Sequence, residues 1–240
     1  MSDFFKFEDD GIDFPFYNGI PKLSTVEWVI LALAPILMGW IALSGGRCIP
    51  YLEVLPSGTF QVCNFLVTII PFAYVCHGKL GLIFKKPRLK DFKVIIICVI
   101  LYYVWIAISN AVFTFLGIAP TQNALAESAL TIFDAAFVLI QLMGEELFKV
   151  AVLLIAMGLI YSFTKNRKNA FVFGIIACMM IFGAIHLPSY NNNLFQCLFG
   201  VGIGCFIHLY PYIKTKNVVN SYLTHILIDL SILSLTLIPH

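Results

Sequence analysis

The chain has 240 residues, of which 60% are hydrophobic and only 12% charged, with a formal net charge of +2. A soluble globular domain is about 45–50% apolar and about 25% charged, so a soluble fold of this length could not bury so much apolar surface, and the composition points to an integral membrane protein. The small net charge, with its basic residues confined to short loops, excludes a nucleic-acid reader.

Residues 1–25 form an acidic arm carrying Asp3, Glu8, Asp9, Asp10 and Asp13. A secretory signal would instead need a basic start and an apolar core. Apolar runs follow at 28–43, 60–76, 94–118, 130–161, 171–187, 194–213 and 222–238. A spanning helix needs about 20 mostly apolar residues. Helices and closed barrels are the only spanning structures in lipid, and no alternating barrel pattern is present. The expected fold class is therefore all-α: a polytopic bundle over 26–240 with about seven transmembrane helices. No internal repeat or separate soluble domain interrupts it.

Three loops are basic. Lys79, Lys85, Lys86, Arg88, Lys90 and Lys93 make the first, Lys165, Arg167 and Lys168 the second, and Lys214 and Lys216 the third. The segments 119–128 and 188–193 carry no Lys or Arg. The positive-inside rule places the basic loops and the N-terminus in the cytoplasm and the C-terminus outside. The run 130–161 then crosses an odd number of times, yet it is too long for one straight span. One crossing helix preceded by a tilted, re-entrant or interfacial piece is expected, with a break near Gly144.

Cys48, Cys63, Cys76, Cys98, Cys178, Cys197 and Cys205 lie mostly inside apolar runs, with no CxxC pair. They read as small hydrophobes, not as a disulfide framework or zinc ribbon.

Charged side chains inside spans cost about 2.5–3.5 kcal/mol each on insertion scales and mark functional sites by default. Glu145, Glu146 and Lys149 share the long run with Asp134, His186 ends the fifth run, and His225 and Asp229 share the last. Lys149 is three or four residues from each glutamate and can neutralise either one. The other is left as a carboxylate suited to general acid–base work. His225 and Asp229 share a helix face. Each feature has a structural alternative: an ion pair for Glu146–Lys149, a headgroup-facing helix end for His186, interhelical hydrogen bonding for His225–Asp229, and an interfacial position for Asp134. His77 and His208, next to basic loops, read as interfacial.

The set resembles the CPBP family of intramembrane proteases, which includes CAAX prenyl endopeptidases and bacterial proteins linked to bacteriocin processing and self-immunity. The family pattern is EExxxR, FxxxH, then HxxxN or HxxxD. This chain reads Glu145-Glu146-Leu147-Phe148-Lys149, Phe182-Gly183-Ala184-Ile185-His186 and His225-Ile226-Leu227-Ile228-Asp229, with the protease-like core at 128–238. The family arginine falls at Val150, and the basic residue stands one position earlier, an EExxK form like that of PrsW-type relatives. Asp229 stands where many members have Asn.

The resemblance implies a multi-pass cell-membrane hydrolase acting on a peptide or membrane-anchored protein. Glu145 would be the base, His186 would position and activate water, His225 and Asp229 would form the oxyanion site, and Glu146 with Lys149 would hold the helix in register. It implies no cofactor. The alternative is zinc held by Glu145, His186 and His225, a His₂Glu donor set. The competing function is a non-proteolytic membrane immunity or scaffold protein that binds a peptide or receptor. Convergence poses a geometric problem, because His186 falls near the outer end of its run and His225 near the inner end of its own. Either 188–193 dips into the bundle or the last helix starts well below the inner surface.

Overall fold

The computed structural model describes residues 3–9, 11–121 and 132–236. The seven apolar runs become seven helices: α1 (Thr25–Leu43), α2 (Thr59–Val75), α3 (Leu89–Leu116), α4 (Ile132–Thr164), α5 (Arg167–Ile185), α6 (Gly204–Thr215, continued from a π-helical segment Gln196–Ile203) and α7 (Val218–Thr236). No strand occurs among the described residues. Five of the helical rods are long and apolar enough to cross a membrane, and α2 and α7 are shorter apolar helices. The chain is a multi-pass membrane protein.

Helix α4 is the hub and packs against α1, α2, α5 and α7. Its middle is buried on every side: Glu146, Leu147, Phe148, Lys149, Val150, Ala151, Leu153 and Leu154 are fully enclosed. A helix enclosed all round belongs at the centre of a bundle. The expected break near Gly144 does not occur, and α4 runs unbroken from Ile132 to Thr164. Gly144 serves a different purpose, since a Cβ there would come within 3.0 Å of the Asn64 carbonyl oxygen and Phe65 Cα. The missing side chain lets the backbone of α2 cross α4 closely, the usual role of small residues between membrane helices. At 33 residues, α4 is about 50 Å long and overshoots a bilayer core of about 30 Å. The side chain of Asp134 and most of the 119–128 segment lie outside the described residues.

The acidic arm folds onto the end of the bundle that carries all three basic loops. Phe14, Phe16, Tyr17 and Leu23 are buried in the core. Glu8 is enclosed with them and accepts hydrogen bonds from Arg167 (Nη1 to Oε1 2.9 Å, Nη2 to Oε2 2.7 Å), Lys216 (Nζ to Oε2 2.6 Å) and the Phe5 N–H. Asp9 meets Arg88 at 2.9 Å and Lys214 at 3.3 Å, and Asp13 accepts from Arg167 Nε at 3.0 Å. One arm thus links the first, second and third basic loops. Burial opposes the charge on Glu8, but its donors outweigh burial and hold the carboxyl below its ordinary value of 4.5. Burial pulls Lys216 down to about 8 against the pull of Glu8. Both values move down, which favours the charged form of Glu8, held by two cations, and disfavours that of Lys216, which shares its single carboxylate with Arg167.

The turn between α6 and α7 lies inside the protein. Thr215, Lys216, Asn217, Asn220, Ser221 and Thr224 are all buried. Ile83 O accepts from Val218 N (3.0 Å), Asn217 Oδ1 accepts from Lys85 N (2.9 Å), and Asn220 Nδ2 donates to Asp91 Oδ2 (3.1 Å). These hydrogen bonds make a buried turn tolerable. The turn is covered by the arm and the 79–93 loop, so α7 starts within the protein and carries His225 deeper than its distance from a basic loop suggests.

Candidate active site

Helices α2 to α7 and the turn after α5 line a cavity of about 370 Å³ that holds Glu145, His186, His225 and Asp229, together with Tyr102, Gln141, Ser189, Tyr190 and His208. Two features resolve the depth problem: the 3₁₀ turn Pro188–Tyr190 contributes Ser189 and Tyr190 to the wall, and α7 begins at a buried turn.

On α4, adjacent glutamates point about 100° apart, and the bundle gives them different surroundings. Glu146 faces α7 and is fully buried. Its Oε1 accepts from Lys149 and lies 2.8 Å from His225 Nδ1, and its Oε2 accepts from Ser221 Oγ. Glu145 faces the cavity with Gln141, one turn earlier, donating to its Oε1 at 2.9 Å. Lys149 therefore neutralises Glu146, and Glu145 is left without a lysine partner. Lys149 also lies 4.8 Å from the centre of the Phe182 ring, which covers the ammonium from the α5 side.

His186 caps the C-terminus of α5. Its Nδ1 is 2.8 Å from the Phe182 carbonyl oxygen. A carbonyl only accepts, so Nδ1 carries the proton and Nε2 is the basic nitrogen. The end of α5 is held against the π-helical segment by two glycines: a Cβ on Gly183 would sit 2.5 Å from Cys197 O and 3.1 Å from Gly202 Cα.

On α7, Nδ1 of His225 is occupied by Glu146, and its Nε2 lies 4.0 Å from Glu145 Oε2 and 3.7 Å from Asp229 Oδ1. Those distances exceed a hydrogen bond but are within one-water reach. The structure therefore brings Glu145, His186, His225 and Asp229 to one cavity. Glu146 contributes from behind, through His225.

His208 corrects the sequence reading. It is not interfacial but 4% exposed in the cavity wall, because the buried turn after α6 lifts it away from the surface. His77 is exposed and pairs with Glu27. Gln141, Ser221 and Tyr102 were also missed. Gln141 alone left a signal, as a polar residue one turn before Glu145 in an apolar run.

The zinc alternative fits these residues poorly. Among the described residues, the donor set whose atoms lie within 4.8 Å of one another is Glu146, His208 and His225, not Glu145, His186 and His225. Glu146 in that set is already bound to an ammonium and a hydroxyl, and a cation there would face Lys149.

Residues 127–231 match the family model of the type II CAAX prenyl endopeptidase Rce1-like proteins. Comparison with curated proteins and with solved structures gives no match. The matched segment holds all three motifs and every cavity residue named above except Tyr102.

Proposed function

From the match of that segment to the Rce1-like family model, we propose that the chain is a CAAX-endopeptidase-like intramembrane protease whose residues divide the chemistry as follows. Glu145 is the general base. A water in the cavity hydrogen-bonds to Glu145 and to Nε2 of His186, and its oxygen attacks the carbonyl carbon of the scissile peptide as Glu145 takes its proton. His225, protonated on both ring nitrogens beside Glu146, donates Nε2–H to the oxygen that gains negative charge. Glu145 then returns the proton to the leaving amine as the C–N bond breaks. Glu146 holds His225 by its Nδ1–H, Asp229 stands beside Nε2, and Lys149 balances Glu146. Donors fixed before reaction stabilise developing charge without reorganisation.

The observation that carries this reading is the division of the two glutamates: Lys149, Ser221 and His225 saturate Glu146, while Glu145 faces the cavity within 4.0 Å of His225 Nε2. The proposed substrate is a small peptide or a membrane-anchored precursor, with bacteriocin maturation or self-immunity as its setting. We propose that no metal takes part.

Cleavage in H₂¹⁸O by protein in proteoliposomes tests the reaction. Hydrolysis by an activated water places one heavy oxygen in the new C-terminus, and chelators leave the rate unchanged. Loss of activity on chelation that zinc restores would give the reaction to a metal.

A further inference from the structure

His208 stands seven residues before the end of α6, packed against two other rings. Its ring centre is 4.4 Å from that of His225 on α7 and 4.4 Å from that of Tyr102 on α3. It lines the same cavity as Glu145 and His186. One ring nitrogen comes within 4.8 Å of both a Glu146 carboxylate oxygen and a His225 nitrogen. Neither ring nitrogen has a hydrogen-bond partner among the described residues.

Buried polar side chains nearly always have partners, and each exception calls for a physical reason. The neighbours of His208 are tied already: Gln141 donates to Glu145, His186 Nδ1 to Phe182 O, and His225 Nδ1 to Glu146. A neutral imidazole offers one donor and one acceptor, and no described residue takes up either one.

The reaction supplies an occupant in need of a donor. Glu145 and Asp229 both stand within 4.0 Å of His225 Nε2. A carbonyl oxygen turning into an oxyanion near two carboxylates is stabilised only by N–H or O–H donors aimed at it. An ionised Asp229 accepts and cannot donate, and His225 has one N–H left to give.

We infer that His208 is a further catalytic residue, which donates the second hydrogen bond to the oxygen of the scissile carbonyl. The N–H proton stays on His208 throughout, so no group is transferred and the imidazole stays neutral. This assignment rests on the hydrolase reading above.

Two variants separate this role from packing. His208→Phe keeps a ring between His225 and Tyr102 and removes both nitrogens, and His208→Gln restores a donor. The wild type, both variants and Glu145→Gln are compared in proteoliposomes on a farnesylated CAAX peptide and an unbiased peptide library. Loss of one oxyanion donor lowers kcat by about 10²–10³-fold. That loss is expected in His208→Phe with KM within about threefold. His208→Gln should recover about tenfold or more of it. The Tm of His208→Phe should equal or exceed that of the wild type, because no protein hydrogen bond is removed. If kcat in His208→Phe stays within about threefold of wild type while Glu145→Gln is inactive, the role of His208 is overturned and the hydrolase reading stands. A fall in Tm with no rescue by His208→Gln makes the histidine a packing residue and equally overturns it. Absence of cleavage by the wild type on every peptide ends both readings.

Discussion

One oxygen of Glu146 lies 2.8 Å from Nδ1 of His225, and this contact between α4 and α7 separates the two glutamates into different trades. The same oxygen takes Lys149, and the other takes Ser221. Breaking such a buried pair leaves an orphaned charge, at about 3–5 kcal/mol. Glu146→Gln should therefore lower the melting temperature of the solubilised protein sharply, with residual cleavage in the folded fraction. Adding Lys149→Met should recover part of the loss. Unchanged melting of Glu146→Gln would show that the pair does not hold the helices.

The approach of α5 to the π-helical segment makes a second prediction. Ala at Gly183 would place its Cβ 2.5 Å from Cys197 O, whereas at Gly200 the nearest atom is on the Phe113 ring at 3.4 Å. Gly183→Ala should cost about 1–3 kcal/mol by overpacking. It should also reduce turnover by about 10²-fold, because His186 is three residues away and misplacement of about 1 Å is enough. Gly200→Ala should be close to wild type in both melting and cleavage. Equal behaviour of the two variants would contradict the tight crossing.

Glu8 gives the stability a pH signature. Its carboxyl titrates below 4.5 in the folded protein, so its contribution is full above the unfolded value and is lost as pH falls through the folded one. Glu8→Gln, which leaves Lys216 buried without a full counter-charge, should destabilise the wild type by about 3–5 kcal/mol near neutral pH. Melting curves taken from about pH 7 to about pH 3 should show the gap between the two proteins narrowing as pH falls. A gap that stays constant over that range would mean that the charge on Glu8 is not what holds the arm.

Much of this was legible in the residues, and the remainder has definite physical causes. The apolar runs mark the helices because lipid demands long apolar segments, and Glu145, His186 and His225 stand out because ionisable groups are rare in such runs. Gly144 misled because a glycine that ends a helix and one that admits a neighbouring backbone look alike until α2 is seen crossing it. His208 was misplaced because distance along the chain from Lys214 was read as distance from water, and the arm buries that turn. The arm's five carboxylates were visible, but their contacts with Arg88, Arg167, Lys214 and Lys216 join residues far apart in sequence. Only the fold could show which glutamate Lys149 takes, since helix spacing allows both.

The division of roles between Glu145 and Glu146 is tested most directly by measuring peptide release and thermal melting side by side for wild type, Glu145→Gln and Glu146→Gln in proteoliposomes. Glu145→Gln should melt like the wild type, since it carries no lysine pair, and should release no cleaved peptide, since an amide cannot take the proton from water. Glu146→Gln should melt lower and retain measurable cleavage in its folded fraction. Wild-type turnover by Glu145→Gln, or a stable and wholly inactive Glu146→Gln, would contradict the account and exchange the two roles.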